Sequence, residues 1–354
     1  MDQPTIDVYN RRGALWAERR RPVRRADAKA FGRKVTAGMM RIDLGCGAGR
    51  YTGDLGRPVV GLDASRAMLA LCRHEVTEPL VQGDLEALPF RRQCLHGGWA
   101  NMSYLHVPRL RLPMALAELH RVLVVDATVD IQVLVGGYEG RVLPDDDIGG
   151  RFFASWEPEP FRDVLVGAGF DVTDLQVDGD VVRVRAVRAR TLADTVGPDM
   201  RLLMVGLNPS VYAADAGVGY ARPGNRFWPA AVAAGLVTRQ RDAYHALGSH
   251  GVGMTDVVKR ATAGAKELTA AEYRSGMERV ERLTQWLRPA VVCMVGLSGW
   301  RAVVGRGART GLQPAPLGGR PVYVMPSTSG LNAHAQMADL VMHMRTALAA
   351  ASVH

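Results

Sequence analysis

Short apolar runs alternate along the chain with longer stretches in which apolar residues recur every three or four positions. That alternation reads as strand, helix, strand. Runs at 39–44, 59–62, 80–82, 97–102 and 129–134 predict strands. Helical spacing appears at 65–72, 113–122 and 160–169, and a further helix is expected from about Tyr51. Within 113–122 the residues Leu116 and Leu119 lie on one face, continued by Leu123. The runs 172–176 and 181–187 predict a closing hairpin. Residues 191–200, with Gly197 and Pro198, read as a boundary. A second alternation then begins, with strands at 202–205, 290–295 and 322–325 and helices at 227–234, 278–287 and 335–349. Strands separated by helices imply parallel sheets covered on both faces. The expected fold class is α/β, with two three-layer α/β/α domains at 1–190 and 191–354, the first built on a Rossmann-like sheet and the second on another parallel sheet.

Composition agrees with two buried cores: 354 residues, 47% hydrophobic and 22% charged. The net charge of +9 is compatible with a nucleic-acid partner. The first 35 residues are rich in arginine, including Arg11, Arg12, Arg19, Arg20, Arg21, Arg24 and Arg25. They read as a solvated helix or as a basic arm on phosphate. Cys46, Cys72, Cys94 and Cys293 show no C-x-x-C spacing, so reduced thiols are expected, with no disulfide framework and no metal site. No run of 18 apolar residues occurs and the N-terminus lacks the apolar core of a secretion signal. A cytoplasmic protein without a membrane partner is the expectation.

Chemistry concentrates at two places. The first is Asp43-Leu44-Gly45-Cys46-Gly47-Ala48-Gly49, which joins the first predicted strand to the helix expected from about Tyr51. Glycines let backbone pass close beneath a ligand. Asp63 ends the next strand, Asp84 the third and Asn101 the fourth, so polar groups meet at one sheet edge. This constellation resembles class I S-adenosylmethionine (SAM)-dependent methyltransferases over about residues 5–190. The resemblance implies that Asp43, Gly45, Gly47 and Gly49 cradle the methionine part of SAM. It implies that Asp63 holds the ribose, Asp84 the adenine, and that Asn101 lies beside the cofactor. The turn 124–128 departs from the Pro-Gly-Gly usual there. No Pro-Cys or Asn/Asp-Pro-Pro-Tyr/Phe motif names a DNA acceptor, and the methyl acceptor is unknown; His106 and Tyr104 lie near the expected acceptor side.

The second place has three parts. Val205-Gly206-Leu207-Asn208-Pro209-Ser210 follows a strand, Gly224-Asn225-Arg226-Phe227-Trp228 opens a helix, and Met325-Pro326-Ser327-Thr328-Ser329-Gly330-Leu331-Asn332 follows the last strand. Asn208 alone reads as an Asn-Pro turn. Together the three parts resemble the mismatch-specific uracil/thymine-DNA glycosylases over about residues 191–350, with Ser210 where many members have glycine. The resemblance implies base excision from double-stranded DNA carrying mismatched or deaminated pyrimidines, with no cofactor. Asn208 would position the attacking water, since an amide accepts a hydrogen bond but is no Brønsted base. Gly206, Leu207, Tyr220 and Asn225 would form the base pocket, with Tyr220 stacking on the flipped pyrimidine. Leu331 would wedge into the duplex, Gly330 and Asn332 would face the widowed guanine, and Ser327 and Ser329 would bond phosphates. Two other readings stand beside this one: a C-terminal half that only binds nucleic acid, and an N-terminal half that binds SAM without transferring methyl.

Overall fold

The computed structural model describes residues 1–144, 146–305 and 307–352. The chain divides into two compact units, Met1–Ala189 and Arg190–His354. Each is built on its own sheet, as the predicted α/β class requires.

The first unit opens with helices α1 (Gln3–Arg19) and α2 (Arg25–Lys34). Strand β1 (Arg41–Leu44) is fully buried and starts the sheet. It is followed by β2 (Val59–Asp63), α3 (Arg66–Glu75), β3 (Leu80–Gln82), β4 (Leu95–Asn101), α4 (Leu112–Val122) and β5 (Leu123–Leu134). A small hairpin of β6 (Glu139–Gly140) and β7 (Phe153–Ala154) precedes α5 (Pro158–Gly167), β8 (Phe170–Asp178) and β9 (Val181–Arg188). The sheet order is β3-β2-β1-β4-β5-β9-β8. Strands β1 to β5 are mutually parallel, and β9 runs antiparallel to both β5 and β8. Strand order reverses between β1 and β4, which opens a crevice at the carboxyl edge there.

Two expectations for this unit change. No α-helix follows β1; only a 3-10 turn forms at Thr52–Leu55. Gly53, Gly56 with φ +82° and Pro58 interrupt any longer helix. The arginine-rich start is a true helix, yet α1 is not a purely solvated one. Asn10 accepts a hydrogen bond from Ser65 Oγ at 2.8 Å, and Gly13 sits against Met68.

The second unit runs β10 (Leu202–Gly206), α6 (Val211–Ala216), α7 (Phe227–Ala233), α8 (Ala243–His250), β11 (Val252–Asp256), α9 (Ala270–Leu287), β12 (Val291–Val295), α10 (Leu297–Val304), β13 (Gly311–Leu312), β14 (Val322–Met325) and α11 (Met337–Ala350). Its sheet order is β11-β10-β12-β14-β13, parallel except for β13. One face packs on a core containing Phe227, Trp228 and Leu340, the other on a core containing Val280, Leu287 and Trp300. The reversal between β10 and β12 places the loop after β10 at this sheet's own crevice.

Candidate active sites

In the first unit a cavity of about 440 Å³ opens at the β1/β4 crevice. Asp43, Gly47, Asp63 and Asn101 line it, together with Tyr9 and His106. The glycine loop is held by its own carboxylates. Gly47 N–H donates to Asp63 Oδ2 at 2.9 Å and Ser65 N–H donates to Asp63 Oδ1 at 2.8 Å. Thr52 Oγ1 donates to Asp43 Oδ2 at 2.7 Å. Burial pushes Asp43 up to about 7 against the Thr52 hydrogen bond, and Asp63 up to about 6 against the amides of Ser65 and Gly47.

The glycines are required for different reasons. Gly45, at φ +71°, would put a Cβ 2.4 Å from that of Ser103, and Gly49, at φ +79°, would put one 2.6 Å from Cys72 Sγ. Gly47, at φ +55°, faces Met68 and Trp16 at ordinary contact distance, so its conformation rather than crowding demands glycine. Asn101 Oδ1 is buried without a partner on this cavity. A cradle of left-handed glycines, a buried acid (Asp43), a half-buried one (Asp63) and an orphaned amide oxygen fit a ligand such as SAM. Asp84 sits apart. Its carboxylate takes the Met1 ammonium and Glu86 N–H, while its neighbours Gly83 and Leu85 line the cavity. An adenine amino group would compete with that ion pair.

Sequence reading missed the cavity's roof. Trp16 and Tyr9 of α1 line it, and Tyr9 hydroxyl bonds His106 Nε2 at 2.9 Å. His106 Nδ1 meets the Phe152 carbonyl at 2.6 Å, so Nδ1 carries the proton and Nε2 accepts from Tyr9. Burial lowers His106 to about 4 despite that hydrogen bond, leaving a neutral ring. Arg151, paired with Asp146, donates to Tyr9 at 2.9 Å. Tyr104 is buried in the core with its hydroxyl unpaired.

In the second unit Asn208 stands just past β10. Its Nδ2 donates to Thr262 Oγ1 at 2.8 Å, the Arg260 carbonyl at 3.0 Å and the Pro209 carbonyl at 3.1 Å. Three acceptors around one end fix the amide's orientation and leave Oδ1 free to accept. The residue is half-buried. Ser210, in the glycine position of the resemblance, caps α6 by accepting from Ala213 N–H at 3.1 Å. Gly206 meets Asp256, the last residue of β11, in parallel register.

Tyr220 stacks on Phe227 with centroids 3.9 Å apart and planes within 10°. Phe227 is fully buried behind it, whereas Tyr220 is only partly covered. Asn225 Oδ1 accepts from Phe227 N–H at 2.9 Å and ties its loop to the start of α7. Leu207 is half-buried in the Asn208 loop.

The loop after β14 is built from within. Arg226 donates to the carbonyls of Asn332 at 2.8 Å and Ser329 at 3.1 Å. Ser327 Oγ accepts from Ser329 N–H, and Ser329 Oγ accepts from Leu331 N–H, both at 3.3 Å. Asn332 spends its amide inside the loop, donating to the Ser327 carbonyl at 2.9 Å and accepting from His334 N–H at 3.3 Å. Its side-chain amide is thus engaged within the loop, and the backbone groups of Gly330 and Asn332 remain for a contact with a guanine. Gly330 is pressed against Gly224, where a Cβ would come 2.8 Å from the carbonyl oxygen. Leu331 projects at the tip, 86% exposed.

Asp194 is the buried anchor beneath this site. It accepts from Lys259 Nζ and Arg279 Nη1, each at 2.7 Å, and from Thr255 Oγ1 at 2.7 Å. Burial alone would raise its pKa, but Arg279 and Lys259 bring it below the ordinary carboxylate range. Neither Asp194 nor Asp256 was singled out from sequence. Among the described residues no cluster of potential metal ligands occurs, all four cysteines are free, and no helix is long and apolar enough to cross a membrane.

Residues 42–129 match the family model of the methyltransferase domain, and residues 193–350 match that of the uracil DNA glycosylase superfamily. Similar solved structures include a methyltransferase in complex with the Haloferax volcanii Trm112 activator, 18% identical, covering 53% of this chain and 100% of that one with a TM-score of 0.43. Another is the DhpI–SAH complex, 17% identical, covering 53% and 99% with a TM-score of 0.43. A third is the Burkholderia thailandensis 1,6-didemethyltoxoflavin-N1-methyltransferase, 18% identical, covering 51% and 84% with a TM-score of 0.42. The chain thus joins a methyltransferase domain to a domain of the uracil DNA glycosylase superfamily.

Proposed function

We propose that the second unit is a DNA repair glycosylase that hydrolyses the N-glycosidic bond of uracil or thymine mispaired with guanine. The observation that carries this is the Asn208 amide, whose nitrogen is held by three acceptors while its oxygen is left free. A water accepted by Oδ1 would be placed against C1′ of an extruded nucleotide. The target bond is inaccessible inside a duplex, so extrusion must precede hydrolysis. Tyr220, backed by Phe227, offers its partly uncovered side to the base, and base–aromatic stacking contributes about 1–3 kcal/mol. Leu331 would fill the vacated stack. An amide positions water without deprotonating it, so turnover is slow and favours weakly paired bases. The test is uracil release from a G·U duplex compared with an A·U duplex. Release from G·U well above A·U supports the reading; no release from either contradicts it and leaves a nucleic-acid-binding module.

For the first unit we propose SAM-dependent methyl transfer to an acceptor of unknown identity. SAM, when bound, supplies an electrophilic methyl group. Asp63 would accept from ribose hydroxyls, the Gly45–Gly49 loop and Asp43 would hold the methionine part, and Asn101 Oδ1 would gain the partner it lacks. Tyr9, Trp16 and His106 would cover the site from water. Labelled methyl reaching no nucleic acid, protein or small molecule from loaded enzyme would favour binding without transfer.

A further inference from the structure

Strand order gives the cavity of the first unit two ends. Asp43 with the glycine loop, Asp63 and Gly83 stand at or just past the carboxyl ends of β1, β2 and β3, where the cofactor reading puts SAM. The ends of β4 and β5 are left over. His106 after β4, Leu134 of β5, and Asp146, Arg151 and Phe153 of the following segment line that part, under Tyr9 of α1. Most polar groups there are already engaged. His106 bonds through both ring nitrogens, and the Tyr9 hydroxyl meets His106 and Arg151. Asp146 differs. Its side chain is 2% exposed, and Oδ1 accepts from Arg151 Nη2 and from Ile148 N–H, the latter at 3.2 Å. Oδ2 is buried with no hydrogen-bond partner, the one carboxylate oxygen so placed among the described residues. Arg151 Nε is unbonded too, but so are Arg41 Nε and Arg279 Nε, which leaves the oxygen as the distinguishing atom. Burial alone would raise the Asp146 pKa, but Arg151 and the Ile148 amide bring it below the ordinary carboxylate range. The group is therefore ionised, and Oδ2 can only accept. A buried acceptor without a partner is left for a ligand's donor to satisfy.

Size and cover limit what can bring that donor. At about 440 Å³ the cavity lies toward the lower end of the about 300–1,000 Å³ usual for small-molecule pockets, and SAM would take much of it. Its α1 roof is clasped to the segment that carries Asp146. Thr5 Oγ1 accepts from Phe152 N–H at 2.8 Å, Arg20 donates to Asp147 Oδ1 at 2.8 Å, Arg19 to the Asp147 carbonyl at 3.1 Å, and Arg12 to the Ile148 carbonyl. These arginines are spent inside the unit rather than offered to phosphate. The nucleophile is limited as well. A hydroxyl must shed its proton as it attacks, yet His106 has no free nitrogen and the ionised Asp146 is a weak base. A neutral nitrogen attacks with its lone pair and needs no base first. We propose that the methyl acceptor of the first unit is a small nitrogen nucleophile, an amine or N–H heterocycle, whose N–H donates to Asp146 Oδ2 at the β4/β5 end of the cavity. Its lone pair forms the bond to the methyl carbon while the methyl–sulfur bond breaks with its electron pair on sulfur. Positive charge passes to the nitrogen beside the Asp146 carboxylate, which stabilises it. The proton leaves the nitrogen to solvent after the product departs. This assignment rests on the methyl-transfer reading of the cavity.

Calorimetric titration of the full chain loaded with S-adenosylhomocysteine, as wild type and as Asp146→Asn, tests it. The probes are small amines and N–H heterocycles, each beside its fully N-methylated counterpart, which has no N–H. At least one N–H probe is expected to bind wild type roughly tenfold or more tighter than its counterpart, as a hydrogen bond to a charged acceptor warrants. Asp146→Asn keeps the shape without the charge, and is expected to lose that preference while holding SAM as wild type does. Tritiated methyl from SAM is expected to enter the same probe at least roughly tenfold faster than its hydroxyl analogue. No N–H preference across the wild-type panel overturns the proposal whether or not the variant folds. A folded Asn variant that keeps the preference overturns it as well. Label that enters hydroxyl analogues, duplex DNA or RNA ahead of the nitrogen probes sinks this inference alone and leaves methyl transfer standing. Probes bound through Asp146 but labelled nowhere sink it together with the transfer reading.

Discussion

The two crevices differ in how completely the protein engages their polar groups. In the first unit Asp63 is bonded by two backbone amides and Asp43 by Thr52, so the acids hold the glycine loop before any ligand arrives. In the second, Asn208 is tied at one end only and Asp256 at neither. A site that binds a preformed cofactor can be built from satisfied groups. One that places a water and receives a departing anion must keep acceptors and donors in reserve. Engaged groups should therefore register in stability or affinity when altered, and reserved groups in rate.

Asp194, a buried acid held by three partners, gives the largest expected effect. Asp194→Asn leaves Lys259 and Arg279 without their anion, and breaking a buried pair costs about 3–5 kcal/mol. A clear fall in the melting temperature of the second unit is expected; an unchanged melt would break the link between engagement and stability. Gly45→Ala in the first unit combines a left-handed backbone with a Cβ 2.4 Å from Ser103. A loss of about 1–3 kcal/mol and of SAM binding is expected, read by calorimetry.

Smaller effects sharpen the contrast. Burial raises Asp63 to about 6, so its carboxylate is present above that pH and lost as pH falls through it. With Asp63 holding the SAM ribose as proposed, affinity for SAM should fall up to about tenfold for each unit of pH below 6. Titration calorimetry checks this, and affinity that rises in acid would contradict it. Leu331→Ala should leave stability within about 0.5 kcal/mol, because the side chain is 86% exposed, yet slow excision from duplex DNA by roughly tenfold. Excision from a single strand, where there is no hole to fill, should change little.

Strands were legible where an apolar run was unbroken, as in β10, β12 and β14, and β1 was legible from Ile42 and Leu44 together with the glycine motif behind them; the motifs that follow these strands were found with them. β11 was missed because Gly253, Thr255 and Asp256 dilute its pattern, and with it went the acid that faces Gly206. The helix expected from Tyr51 failed because local glycines outweighed apolar spacing. The roof over the cofactor cavity was invisible for another reason. Tyr9 and Trp16 reach the site from a helix within the arginine-rich start of the chain, and nothing in a charge count reveals which residues of a helix face inward. Orientation of the Asn208 amide was likewise beyond sequence, since it depends on Arg260 and Thr262, more than 50 residues away.

The central claim is that the free oxygen of the Asn208 amide holds the water that attacks the sugar. Single-turnover release of uracil from a G·U duplex by Asn208→Ala, with DNA binding measured on the same preparation, tests it most directly. A fall of about a hundredfold or more with binding retained is expected. Release at the wild-type rate by the folded, DNA-binding variant would contradict it.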